Sequence, residues 1–172
     1  MLRPCTLLLI VALASLPSQG ADFANLPLIF EENPAGSRYP YMTRASGFTL
    51  LFGGGEALIQ YVRIPFGNAV QPEPAVKLSS VSNYYLGADP ASWRTQRPHY
   101  GQIRYRNTFP GIDLVYYGNG RRVEFDFIVA PGADPRAIRL ELDGARRIRL
   151  DAGDLIVETA KRTIRVHKPG GY

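Results

Sequence analysis

Apolar residues in this chain recur at every second position, in short runs closed by Gly, Pro, Asn or Asp. Successive side chains of a strand point to opposite faces, so this period predicts strands with one buried face. "FTLLF" and "ALIQYVRI" flank "GGGE", a glycine-rich hairpin turn. "VKLSSVSNYYLG", "YGQIRYRN", "IDLVYYG", "AIRLEL", "RIRLD", "LIVET" and "TIRVHK" read as further strands. "RRVEFDFIVA" alternates most cleanly, with Val123, Phe125, Phe127 and Val129 on one face and Arg122, Glu124 and Asp126 on the other. In the same way Ile138, Leu140 and Leu142 share a face opposite Arg139 and Glu141. With little helix between them, these strands predict an all-β fold, an antiparallel β-sandwich or open barrel. One helical turn is expected at "DPASWRTQ", with Asp89 as cap and Pro90 at the first position.

Turn chemistry fixes the corners. Pro110-Gly111 and Pro131-Gly132 each suit the middle of a type II turn, where glycine supplies positive φ. Asp134-Pro135 starts a further turn. "PFGNAVQPEPAVK" is the most linker-like stretch and reads as a long loop inside one domain. Ile112 to Tyr117 and Val123 to Val129 form a hairpin joined by "GNGRR".

The first 20 residues depart from this pattern. Arg3 precedes an apolar run from Leu7 to Leu13, and Ser18 and Gly20 are small residues placed for a cut after Gly20. This is the layout of a secretory signal peptide. The run falls short of the roughly 20 apolar residues of a membrane span. The expectation is an exported chain, periplasmic, cell-surface or secreted, with no span left after cleavage. Residues 21–172 then form a single β-rich domain. Cys5 leaves with the signal, so the mature domain has neither disulfide nor thiolate ligand.

The formal charge is +5, and 17 of the 20 basic residues are arginine. They are spread along the strands, which fits a solvated β surface better than a nucleic-acid footprint. Export also disfavours nucleic acid as a partner.

Two constellations carry candidate chemistry. Asp113, Glu124 and Asp126 lie on the hairpin, and a glycosidase needs two carboxylates about 5–10 Å apart. Alternation of Asp or Glu with Val or Phe is also what a half-exposed sheet produces, and that reading is preferred. Trp93 with Tyr84, Tyr85 and Tyr100 could form an aromatic ligand-binding platform, although such residues more often fill a core. His99, in "RPHYG", reads as a loop residue, and His99 and His167 lack metal-ligand spacing. The chain has no Gly-x-Ser-x-Gly elbow, and "FGGGEALI" lacks the lysine of a phosphate loop. No catalytic residue, metal or cofactor is therefore assigned.

"GADPASWRT", "FPGIDLVYYGN" and "EFDFIVAPGADPRAIRL", with the opening "LPLIFEENPAG" and the closing "IRVHKPGGY", carry a resemblance. Together they resemble the N-terminal domain of unknown function that precedes SBBP repeats, β-propeller-like units of bacterial exported and surface proteins. The resemblance spans residues 21–172 and brings no catalytic residues with it. Such proteins continue into repeats, whereas this sequence ends at Tyr172, so repeat-dependent roles are not carried over. It implies a non-enzymatic exported module with a structural, interaction or adhesive role, whose partners are other surface domains, proteins or polysaccharide. The alternative is a carbohydrate-binding or weakly glycoside-active protein that uses Trp93, the tyrosines and the three carboxylates.

Overall fold

The computed structural model describes residues 6–9, 28–45, 47–59, 62–120, 122–168 and 170–171. The expected export signal lies outside these residues, apart from the backbone of Thr6–Leu9 (β1). The chain is all-β, as the periodicity predicts. One long antiparallel sheet curls into a half-barrel, and a small second sheet accompanies it.

The large sheet contains β1, β2 (Phe30–Glu32), β3 (Tyr41–Ala45), β4 (Phe48–Gly53), β5 (Glu56–Ile59) and β6 (Val62–Pro65). It also holds β7 (Glu73–Tyr84), β8 (Arg94–Phe109), β9 (Ile112–Asn119), β10 (Arg122–Val129) and the short β14 (Gly170–Gly171). Its strand order is β14-β1-β10-β9-β8-β2-β3-β4-β5-β6, with β7 paired to β8. β11 (Arg147–Asp151), β12 (Asp154–Glu158) and β13 (Thr163–Val166) make the second sheet in chain order. Two single-turn 3-10 helices, Pro90–Ser92 and Pro135–Ala137, are capped by Asp89 and Asp134, each accepting a backbone N–H two residues on.

Register explains the core. Ile103, Tyr116 and Phe125 face one another across β8, β9 and β10, and Tyr105, Leu114 and Phe127 make the next row. All six are buried. Rows of large apolar side chains on one face drive the sheet to close on itself. β9 and β4 are four strands apart in the sheet, about 19 Å if it were flat. Yet the Tyr116 and Phe52 rings lie 5.0 Å apart, edge to face. Phe66 meets Tyr105 at 4.8 Å in the same interior. Val157 and Ile164 of the second sheet belong to this same cluster.

Several boundaries differ from the sequence expectation. "ALIQYVRI" is two strands, β5 and β6, folded back with Ile59 opposite Val62. The β9–β10 hairpin is tighter than expected, its strands running to Asn119 and from Arg122 around Gly120 at φ 58°. Within "PFGNAVQPEPAVK" a strand already begins at Glu73, because Pro74 stands in β7, which pairs only with β8 among the described residues. On an edge strand proline can turn the side that lacks an N–H outward, where there is no ladder bond to lose. "AIRLEL" is not a strand. It crosses β6 with single bridges, Leu140 to Phe66 and Asp143 to Arg63. The face assignment holds for Ile138 and Leu142, which pack on the core, whereas Leu140 is 37% exposed.

Candidate functional site

Each hairpin carboxylate has its own partners. Asp113 clamps a bulge. Its Oδ1 accepts the Asn107 N–H at 2.6 Å, and its Oδ2 accepts Arg104 Nε and Nη2 at 3.1 and 2.6 Å. Asn107 sits at φ 51°, where the β8–β9 register shifts. Asp113 thereby holds a left-handed residue next to the Pro110-Gly111 turn. Glu124 corrects an expectation: it is buried, with 4% exposure, rather than on a solvated face. Tyr117 stands directly opposite it in β9, and Asn119 Nδ2 donates to its Oε1 at 3.0 Å. Asp126 is half-buried and accepts the Tyr117 hydroxyl at 3.2 Å. Burial pushes the Asp126 carboxyl up; the Tyr117 bond opposes this and the Glu124 charge adds to it. Register sets Asp113 diagonally from Asp126 on this face, but Arg104 neutralises it there.

The four aromatic residues do not converge. Tyr85 and Trp93 pair edge to face at 5.1 Å and 84°, both exposed, at the tip of the β7–β8 ribbon. The Trp93 indole donates to the Gly87 carbonyl at 3.3 Å, folding the ring over its own loop. Tyr84 turns instead to Glu31, and Tyr100 donates to Glu32 Oε1 at 2.9 Å.

His99 is the residue that the sequence reading misplaced. It lies within β8, is 6% exposed, and stands opposite Glu31 of β2. Ser80 and Ser82 of β7 reach its Nδ1 and Nε2 at 2.9 and 2.7 Å. Ser82 also donates to Glu31 Oε1 at 2.8 Å, and Tyr84 and Arg44 reach Glu31 Oε2. Burial raises the Glu31 carboxyl, but the Tyr84 and Ser82 bonds and the Arg44 and His99 charges outweigh it, leaving it below the ordinary 4.5. The serines, His99 and Glu31 are the ingredients of a nucleophilic relay. A relay frees one serine for substrate, whereas here both imidazole nitrogens are occupied and the cluster spans four strands. Its composition fits a cross-strand clamp. Alternation in "SSVSNYY" is the signal that could have found it, because Ser80, Ser82 and Tyr84 share one face of β7. Among the described residues no group of three or more metal-binding side chains forms.

An apolar cavity lies between the sheets. Its space of about 330 Å³ is lined by Leu50, Ile59, Val62, Phe125, Val157 and Ile164, among others. A sealed, empty space of that size would cost on the order of 24 cal/mol per Å³, or about 8 kcal/mol. That is comparable to the whole stability of a domain. The cavity instead borders Leu140 and Leu150, which are 37% and 75% exposed, and Lys168 stands at its rim.

No curated protein and no solved structure matches the chain. The family model described as Domain of unknown function (DUF7948) matches residues 32–172, which include the β9–β10 hairpin and the whole second sheet, and the chain belongs to that family.

Proposed function

We propose that this chain is an exported, non-enzymatic β module, akin to the domains that precede SBBP repeats, that serves surface architecture or adhesion through other surface domains, proteins or polysaccharide. One observation carries the reading: each candidate catalytic group is already committed to holding strands together. Asp113 fixes the β8–β9 bulge, Glu124 and Asp126 bond across the β9–β10 hairpin, and Glu31 with His99 ties β2, β7 and β8. The leader pattern of residues 1–20 supports export, and the motifs shared with repeat-bearing surface proteins support the setting. Neither is a nucleic-acid feature. Nine arginines pair with described carboxylates instead of lining an open basic face.

The alternative, carbohydrate binding, draws on the exposed Tyr85–Trp93 pair. The experiment expresses the chain in a secretion-competent bacterium, determines the N-terminus of the recovered protein, and incubates that protein with a panel of polysaccharides. The reading expects a start at or near Ala21, no new reducing ends, and no change in the emission of the single tryptophan with any sugar, because any polysaccharide contact of the module lies away from the Tyr85–Trp93 pair. An intact Met1 start on exported protein overturns the export assignment. Reducing ends that disappear in Asp126→Asn establish the glycosidase alternative, and saturable Trp93 quenching establishes sugar binding.

A further inference from the structure

We infer that the cavity between the half-barrel and the three-stranded sheet binds a single-chain amphiphile, with its hydrocarbon tail between the sheets and an anionic headgroup at Lys168. This deepens the module reading by naming a ligand.

The interior sets the tail. Leu50, Ile59, Val62, Phe125, Val157 and Ile164 come from six strands of both sheets and present hydrocarbon to a space of about 330 Å³. A buried water needs two to four polar partners, and this lining offers few; even a smaller cavity lined by Leu, Ile and Phe stays dry and takes apolar guests. At about 30 Å³ per water-sized group, the space holds on the order of ten methylenes. That suits one chain, not a lipid with two.

The mouth sets the headgroup. Leu150 of β11 and Leu140, which both line the cavity, are 75% and 37% exposed. Exposed apolar groups around an apolar opening mark a binding surface. Gly153, at φ 92°, keeps the rim free of a side chain, and the Lys168 stem runs past it. The other nearby basic side chains are occupied. Arg165 bonds Asp151 and Asp154, and His167 Nδ1 lies 3.1 Å from Asp154 Oδ2. Lys168 donates its backbone N–H to Asp154, and its ammonium pairs with no carboxylate among the described residues. A second copy of the chain could cover Leu150, but it would leave the inner space empty.

The test uses the full purified chain and bound 1-anilinonaphthalene-8-sulfonate. Dodecanoate should displace the dye at one site per chain, and butyrate should not. Dodecyltrimethylammonium should bind about ten-fold more weakly than dodecanoate, about 1.4 kcal/mol. Lys168→Glu should weaken dodecanoate about ten-fold and leave dodecan-1-ol unchanged. Val157→Phe, which fills the cavity, should abolish displacement without lowering the melting temperature. Should it fail to fold, native mass spectrometry of the wild-type chain with dodecanoate decides, with a 1:1 adduct expected. No adduct on folded protein, or no difference between the anionic and cationic chains, overturns the inference. So does sedimentation as a dimer that Leu150→Lys dissociates. None of these outcomes bears on export or on hydrolysis, so the module reading stands or falls separately.

Discussion

Glu31 of β2 and His99 of β8 face one another across the strand register, and the Ser82 hydroxyl of β7 bonds to both. Three strands therefore share one buried polar knot. Leaving a buried acceptor or donor without its partner costs about 1–3 kcal/mol. Glu31→Gln should lower stability at neutral pH by about that amount. The folded Glu31 carboxyl lies below its ordinary 4.5. Its contribution is thus fully present above that value and lost as pH falls through the folded one. Urea titrations from pH 7 down to pH 3 should show the wild-type advantage over Glu31→Gln shrinking below about pH 4.5. An advantage that is constant with pH would mean that Glu31 acts by packing alone.

Asp113 supports the left-handed Asn107 by accepting its N–H and by pairing with Arg104. Charge-assisted bonds of this kind exceed neutral ones in strength. Asp113→Ala should cost about 1–3 kcal/mol in chemical denaturation, with the loss larger than for Arg122→Ala, which is exposed. An equal, small effect from both would remove the clamp assignment.

Much of this fold is legible in the sequence because its physics is local. Period-two alternation places Phe125 and Phe127 on the core face, and Asp89, Gly111, Gly132 and Asp134 form the caps and turns their chemistry implies. Alternation also put Leu140 and Leu142 on the inward side, although strand pairing stops at Pro65 and single bridges replace it. What the pattern cannot carry is long-range. Glu124 alternates like an exposed residue, yet Tyr117 and Asn119 cover it across the hairpin. His99 joins a network with residues 17 to 68 positions away; alternation puts Ser80, Ser82 and Tyr84 on one face of β7 but does not say which residues that face meets. The cavity depends on how two sheets approach, which no single strand specifies.

Gly67 tests backbone approach between β6 and the β8–β9 bulge. It sits at φ 51°, and a Cβ there would overlap the Thr108 carbonyl oxygen. The neighbouring Asn68 N–H bonds that same oxygen at 2.7 Å, so the strands cannot separate without losing it. Gly120 has comparable φ, 58°, but open space around it. Gly120→Ala should cost only the left-handed penalty of about 1–2 kcal/mol. Gly67→Ala should exceed about 3 kcal/mol, the range reached only by a specific clash or cavity. Matching melting temperatures for the two variants would show that the β6 corner yields.

Phe125 and Phe127 share one face of β10, with ring centroids 5.8 Å apart, but their surroundings differ. Phe127 is 1% exposed, stands opposite Leu114 in β9, and has its ring 6.1 Å from that of Phe109. Phe125 is 7% exposed and forms part of the cavity wall. Truncation costs the lost transfer energy plus the space left behind, and a ring already facing open space has fewer contacts to lose. Phe127→Ala should therefore cost about 3–5 kcal/mol, near the limit that a domain without disulfides tolerates. Phe125→Ala should fall below it by about 1 kcal/mol or more, within the spread that fixed chemistry shows between sites. Guanidinium titrations of both variants beside Arg122→Ala settle the order. Equal losses for the two rings would mean that the cavity is closed in solution, and losses near zero for both would reverse the face assignment on which the half-barrel core rests.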